Sequence, residues 1–435
     1  MTVKFHEKNQ AIYFALQTGG SGNANKVGTG SLGSTTAIAC TAISGDPTRD
    51  TGSYQYLGDS LSRDEYTYEK DKYIDLQIDT FQQVLSDMTT AIVPNDASLW
   101  KLYQVCGGNV IVDSTTKQVF VDNATDSPDY GTADFRKSSP DDATNDKLYK
   151  FWDLRGTVDV TATVGEVPSL KFSLKGNADD PVAVAKQTAN FGTQTTRVAP
   201  SVLYSTITTA QLVEISPSDT FTASLGGVVS GVTAGSAQVT VTFSTAPSGV
   251  ATGEIRRVKI SGLTPAALNG EVTLYFVSPT KAIYYVKGNT SAASGTATIK
   301  VSDVAPASFC FSTLNAANFF GYDFQRYMTG CDTGFAKGGT PTDVSVSMLE
   351  DQAATAGGVL PAGTGFLPDT KAGSFFSAVL QFGKKDTNGA LVAGTGVTYM
   401  WDKLQLANVK QGKIATYMGR DVTFRNTGSS FIFYQ

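Results

Sequence analysis

The chain has 435 residues, of which 17% are charged, and a formal net charge of -5. That length accommodates two or three domains with a full core, and the shortage of charge beside abundant Gly, Ser, Thr and Ala favours turn-rich all-β structure over helical bundles. The acidic balance excludes the basic footprint that general binding to a phosphate backbone requires.

Residues 1 to 20, "MTVKFHEKNQAIYFALQTGG", hold no apolar stretch of signal-peptide length, and no run of about eighteen apolar residues occurs further on, so a soluble cytosolic chain without a membrane partner is expected. Residues 17 to 53 are dominated by small residues and turn formers around a weak strand at Ala37 to Ile43, and predict an extended arm or long loop. In "YQYLGDSLSRDEYTYEKDKYIDLQIDTFQQV", Tyr66 and Tyr68, then Ile74, Leu76 and Ile78, alternate with charged neighbours, the mark of half-exposed strands. The period changes at "PNDASLWKLYQVCGGN". Leu99, Leu102, Tyr103 and Cys106 follow helical spacing behind a capping Asp96 or Ser98, and Gly107 and Gly108 supply the stop. The acidic, polar stretch from Asp122 to Asp146 predicts a mobile loop.

Residues 154 to 177, "LRGTVDVTATVGEVPSLKFSLKGN", carry two alternating runs around a break with Gly165 and Pro168. Val158, Val160, Ala162 and Val164 share one face of the first run, and Thr157, Asp159, Thr161 and Thr163 the other. Leu170, Phe172 and Leu174 in the second run oppose Ser169, Lys171, Ser173 and Lys175. Period-2 alternation in both arms predicts a hairpin with one buried and one wet side, each arm about 27 Å long at ~3.4 Å per residue.

From about Val213 short strands recur at about ten-residue spacing with Gly, Pro and Asn-Gly turns, which predicts a small β-sandwich of Ig-like size at 213 to 304. After Pro306 the pattern of the N-terminal part returns. The chain is therefore expected to be one β-rich body, residues 1 to 212 and 305 to 435, interrupted by a guest domain. "VSVSML" and "FFSAVLQFG" offer a second hairpin within the C-terminal part.

Chemistry-bearing patterns are sparse. "GTGSLG" places Gly28, Gly30 and Gly33 in a G-x-G-x-x-G, but no buried strand precedes it and a β-branched run follows it, so no dinucleotide site or other cofactor is expected. The only histidine, His6, leaves Ser-His-Asp, Cys-His and His-based metal chemistry without a base or ligand set. Asp64 with Glu65 and Asp141 with Asp142 are the acid pairs that a glycosidase could use, although adjacent acids in polar segments are usually solvated surface. Asn123 and Asn289 sit in glycosylation-type sequons. Cys40, Cys106, Cys310 and Cys331 are scattered, with no CxxC pair, and are expected as reduced thiols. No catalytic, cofactor or metal residue is expected.

The order of features, "LWKLYQVCGGN", the long hairpin ending "FSLKGN", then "FSTLNAANFFGYDF", "TPTDVSVSMLED" and the closing "DKLQLANVKQGKIATYMGRDVTFR", resembles the tail tube (major tail) proteins of long-tailed bacteriophages over most of residues 50 to 205 and 305 to 435. The guest segment, with "ISGLTPAALNGEVTLYFV", resembles Ig-like modules spliced into phage virion proteins. The resemblance implies a mainly β tail-tube sandwich or barrel with a short helix and long hairpins, located in the virion tail and assembled in the host cytoplasm. It implies copies of this chain as partners, in stacked rings of three or six around a tape-measure protein, with genomic DNA passing transiently through the lumen. Thr157, Asp159, Thr161, Thr163, Lys171 and Lys175 would then face that lumen. A chain this long leaves room for a duplicated tube fold. The alternative is a capsid-decorating or host-glycan-binding virion protein, and the remaining rival is a carboxylate-based glycan-cleaving enzyme.

Overall fold

A computed structural model of the protein describes residues 10–20, 32, 37–38, 40–45, 48–57, 63–84, 97–113, 118–122, 129–188, 208–217, 219–229, 238–286, 296–321, 323–326, 335–338, 342–349, 373–384, 391–414 and 417–435. The fold is mainly β, with large antiparallel sheets and one helix among these residues. The first stretch contains β1 (Gln10–Leu16), β2 (Ala42–Ser44), β3 (Thr48–Leu57), β4 (Arg63–Phe81), helix α1 (Ala97–Val105), β5 (Asn109–Asp113), β6 (Gln118–Asp122), β7 (Gly131–Ser138), β8 (Asn145–Thr163), β9 (Ser169–Ala178) and β10 (Val182–Ala185). β11 (Thr208–Ile215) leads into β12 (Phe221–Val229), β13 (Gln238–Thr242), β14 (Ile255–Ser261), β15 (Gly270–Ser278), β16 (Lys281–Tyr285) and β17 (Thr296–Ser302). The last stretch holds β18 (Ala307–Ser308), β19 (Phe311–Gly321), β20 (Asp323–Arg326), β21 (Phe335–Gly338), β22 (Asp343–Leu349), β23 (Phe375–Phe382), β24 (Val397–Ile414), β25 (Tyr417–Asn426) and β26 (Ser430–Tyr434).

β8 and β9 form the hairpin that period-2 alternation implies, with Asp159 opposite Lys171 and Thr157 opposite Ser173. Gly165, at φ 86°, turns the chain between them in open space. Helix α1 buries Leu99, Leu102 and Tyr103, and Cys106 is buried just past its end. It ends in a Schellman motif, in which the Gly108 N–H donates to Tyr103 O (2.7 Å) and the Gly107 N–H to Gln104 O (3.0 Å), Gly107 taking the left-handed φ of 84°. Its Tyr103 ring meets Phe172 of the hairpin edge-on at 5.6 Å.

Two expectations are corrected. The acidic stretch from Asp122 to Asp146 is not a loop throughout, because it contains β7, which pairs with both β1 and β8. Ala133 and Phe135 enter the core, and between them Asp134 lies buried 3.5 Å from the buried Lys150 ammonium, so a paired charge sits where polarity suggested solvent. Burial pushes the Asp134 carboxyl up from its ordinary value, and Lys150 pulls it back. The second hairpin is not "VSVSML" with "FFSAVLQFG". Those segments, β22 and β23, pair with β19 and β25 and with β11 and β24 respectively. The long hairpin of the C-terminal part is β24–β25.

These pairings expose an internal repeat. In the first half β1 pairs with β7, β7 with β8, β8 with β9 and β10, β9 with β4, and β4 with β2 and β3. In the second half β11 pairs with β23, β23 with β24, β24 with β25 and β26, β25 with β22, and β22 with β19. The two halves thus share strand order and antiparallel connectivity. They are joined directly by β8 against β19. The place that α1 takes in the first half corresponds in sequence order to residues 350–372, which lie outside the described residues.

The guest segment has its own hydrogen-bond circuit. β12, β13, β16, β15, β14 and β17 close into a barrel. Val239, Val241, Val258, Ile260, Leu274, Phe276, Tyr284 and Ile299 fill it. The alternate residues Ile255, Tyr275 and Ile283 point outward and are buried as well, against Val213, Val379, Met400, Phe431 and Phe433 of the body. At the centre of this contact Tyr275 Oη lies 2.9 Å from Thr398 Oγ1 and accepts from the Gln435 amide (3.1 Å) and from Gln381. The barrel is therefore docked on the body and not tethered beside it. Tyr275→Phe should leave these buried amides short of a partner and lower stability by about 1–3 kcal/mol; denaturant unfolding of the full chain measures it, and an unchanged midpoint would show that the docking hydrogen bonds carry no net weight.

Candidate functional site

The widest feature built by the repeat is one continuous sheet in the order β4–β9–β8–β19–β22–β25–β24. Its strands alternate, apart from irregularities in β8, β19 and β24. Ile74, Leu76, Ile78, Val158, Val160, Leu170, Phe172, Leu174, Leu314, Val344, Val346, Val422 and Phe424 point to one side and belong to a single hydrophobic core. The other side is polar across the full width.

Cross-strand register places most of its charges in rows of alternating sign, the exception being Arg155 of β8 opposite Lys175 of β9. Asp79 of β4 lies opposite Lys171 of β9, which lies opposite Asp159 of β8. In the second half Ser347 of β22 lies opposite Asp421 of β25, which lies opposite Lys410 of β24. Asp75 faces Lys175, and Asp343 faces Arg425, whose Nε is 3.5 Å from its carboxylate. Opposite charges directly across a ladder favour this register, and like charges there would oppose it. Hydroxyls and amides fill the rows between, including Thr157, Ser173, Asn315, Ser345 and Thr423. Ser347 Oγ donates to Asp421 at 2.7 Å. The face is thus hydrophilic and nearly charge-balanced.

Thr157, Asp159, Thr161, Thr163, Lys171 and Lys175, the residues singled out from the sequence, all fall on this face and are half-buried or exposed. Asp159 is not a free surface charge, because its Oδ1 accepts the backbone N–H of Asn318 at 2.7 Å and so holds β19, where Asn318 has φ 51°, against β8. Sequence reasoning missed the contributions of β4, β22, β24 and β25. The alternation in "YIDLQID", "DVSVSML" and "DVTF" was visible, but which faces of distant strands would align is a matter of tertiary pairing.

Two glycines let the junction form. A Cβ on Gly321 (φ 117°) would stand 2.2 Å from the Gly156 carbonyl oxygen, and one on Gly156 would stand 1.9 Å from that of Ser173. The backbones of β9, β8 and β19 therefore nest at this point.

The other candidate residues do not converge. Asp142 sits on a turn, where Oδ1 accepts from the Thr144 and Asn145 N–H groups (2.9 Å each), and these bonds hold its carboxyl below its ordinary value. Asp64 and Glu65 lie on the β3–β4 ribbon opposite Tyr56 and Gln55. Cys40, Cys106 and Cys310 are free thiols, and burial pushes Cys106 well up. Gly28, Gly30, Gly33, His6, Asn123, Asn289, Asp96 and Cys331 lie outside the described residues. No helix among the described residues is long and apolar enough to cross a membrane. No protein-family model matches the chain, and no curated protein matches it in sequence.

Two tests follow from the geometry. Phe172→Asp would place an unpaired carboxylate against Tyr103 and should cost several kcal/mol, giving insoluble protein, whereas Lys171→Ser on the opposite face should stay within about 0.5 kcal/mol; soluble, cooperatively folding Phe172→Asp would mean the faces are inverted. Gly321→Ala should destabilise by more than about 1 kcal/mol because both φ and space forbid the methyl group, while Gly165→Asn, in open space and in a conformation Asn accepts, should melt close to the parent in a thermal scan.

Proposed function

We propose that the protein is a virion structural protein, the self-assembling subunit of the tail tube of a long-tailed bacteriophage. The observation that carries this reading is the seven-strand sheet, apolar beneath and polar above, composed of two copies of one topological repeat. A sheet of this kind buries one side in its own subunit and must present the other to water. Closing it with further copies into a barrel removes its edges, which would otherwise invite aggregation. The polar side then lines a channel.

The charge pattern suits that channel. Strands lie about 4.8 Å apart, so neighbouring opposite charges in the rows cancel well within the ~8–10 Å Debye length at physiological salt. DNA moving along such a wall meets hydroxyls, amides and paired charges, with no basic stripe to hold its phosphates. A tape-measure protein occupying the same lumen before ejection meets the same hydrated surface. In this reading the chain supplies two repeats, so that a ring of three chains carries six, and rings stack into the tube. The docked barrel, on the far side of the body from the polar face, decorates the exterior.

Negative-stain microscopy of the purified full chain tests the reading: rings or tubes with a central channel are expected. Discrete particles that bind host glycans and never form rings would instead favour a decorating or receptor-binding role. Ser345→Lys adds one cation at the exposed centre of the polar face, away from the core. Tubes should still form, while DNA release from particles carrying it should slow, most at low salt where screening is weakest; release kinetics that are unchanged across a salt series would argue against a lumenal face.

A further inference from the structure

The repeat also says how one copy meets the next. Inside the chain the first half is joined to the second by β8 pairing antiparallel with β19, Thr163 opposite Thr313 and Thr161 opposite Asn315. The matching strand of the second half is β24. Among the described residues, no strand pairs with its far flank over residues 408–414, since β23 and β26 reach only as far as Gln405 and Trp401. At the other end of the same sheet, β2 is hydrogen-bonded only to β4 among the described residues, and Ala42 and Ser44 are exposed. β2 occupies in the first half the place that β19 occupies in the second. The protein thus carries, at opposite ends of one sheet, the two components of a junction it already makes once internally.

The pairings determine the register. Lys171 lies between Asp159 and Asp79, and Asp421 lies between Lys410 and Ser347. The register shift between Gly131 and Ala133 in β7–β8 matches that between Phe376 and Ala378 in β23–β24, so Leu154 corresponds to Leu404 and, past the extra residue of β24 before Asn408, Asp159 corresponds to Lys410; Lys171 then corresponds to Asp421 and Asp79 to Ser347, as the pair Asp75–Lys175 does to Asp343–Arg425. Four residues further along, Thr163 corresponds to Ile414 (163 − 159 = 414 − 410), and Thr161 likewise to Gly412. Ala42 lies opposite Asp79 and Thr313 opposite Ser347, so Ala42 corresponds to Thr313 and Ser44 to Asn315.

We infer that β2 of one copy adds antiparallel to the free flank of β24 of the next copy, with Ala42 opposite Ile414 and Ser44 opposite Gly412, which repeats between chains the β8–β19 junction within the chain. The partner is a second copy of this chain. Because the two edges differ, the contact is heterologous, and successive copies propagate around an axis instead of stopping at a two-fold dimer. Ring closure as the outcome rests on the tube-subunit reading; the edge pairing and its register rest on the repeat.

Disulfide trapping tests it in the full chain with Cys40, Cys310 and Cys331 replaced by Ser. Directly opposed residues of an antiparallel pair have Cα atoms about 4.5–5.5 Å apart, within disulfide reach. Ala42→Cys with Ile414→Cys should, on oxidation of assembled protein, give a ladder of linked chains ending at the ring size. Mixing the two single variants should give linked dimers only. Ser44→Cys with Gly412→Cys is the second in-register pair, in case the first disturbs assembly. Ala42→Cys with Lys413→Cys, slipped by one residue and so on opposite faces, should not link. Rings or tubes in which neither in-register pair links, or in which the slipped pair links equally, overturn the assigned edge and leave the tube reading standing. Protein that remains monomeric and unlinked at every concentration overturns both.

Discussion

The structure depends on the two-residue period of one wide antiparallel sheet. Val158, Val160, Leu170, Phe172 and Leu174 in the first half, with Leu314, Val346, Val422 and Phe424 in the second, bury their side chains in a common core. Their neighbours along each strand have no choice but to emerge on the other side. A one-residue slip of any strand would bury Lys171 or Asp421 and expose Phe172 or Val422, so register is held by a large hydrophobic penalty and not by the surface charges. The polar face is in this sense a consequence of the core.

Two long strands tie that sheet to the rest of the body. The first part of β8 pairs with β7 and β10 and its last part with β9 and β19, while β24 divides its partners in the same way among β23, β26 and β25. β8 bends at Asp153, which has φ 55° and whose side chain accepts from Gln17 and Asn177. In the second half, β23, β24 and β26 carry a second set of outward residues, Val379, Met400, Phe431 and Phe433, which the guest barrel covers. The cover includes charge as well as apolar surface. Arg257, itself buried, lies 3.9 Å from Asp219 and 3.7 Å from Glu271, and burial pushes the nearby Asp402 carboxyl upward while Arg257 draws it down. Of the acids near Arg257 only Asp402, on β24, belongs to the body, so this is the electrostatic contact that separating barrel and body would break.

Duplication connects these features. A single repeat has a sheet with one edge that donates a junction and one that receives it, and joining two in tandem satisfies one junction within the chain. The close backbone approach at Gly156 and Gly321 belongs to that internal junction. At the outer ends, among the described residues, β2 has β4 as its only strand partner and residues 408–414 of β24 have only β25.

Local alternation and helical spacing were sufficient to read the mainly β class, helix α1 with its glycine stop, the β8–β9 hairpin and the assignment of Thr157, Asp159 and Lys171 to one face and Val158 and Phe172 to the other. Each of these depends on residues close in the chain, where side-chain period and turn chemistry act directly. Strand β7 was not legible, because the acidic sequence around Asp134 conceals a burial that Lys150, on another strand, does most to make tolerable. Nor was the closed guest barrel, its docking through Tyr275, or the repeat, since the two halves share a pairing pattern and not a visible motif. Tertiary structure decided which strands became neighbours, and with that turned several separate half-polar ribbons into a single continuous face: hydrogen bonding between strands is indifferent to sequence distance, and the choice among partners is made by the fit of the whole core.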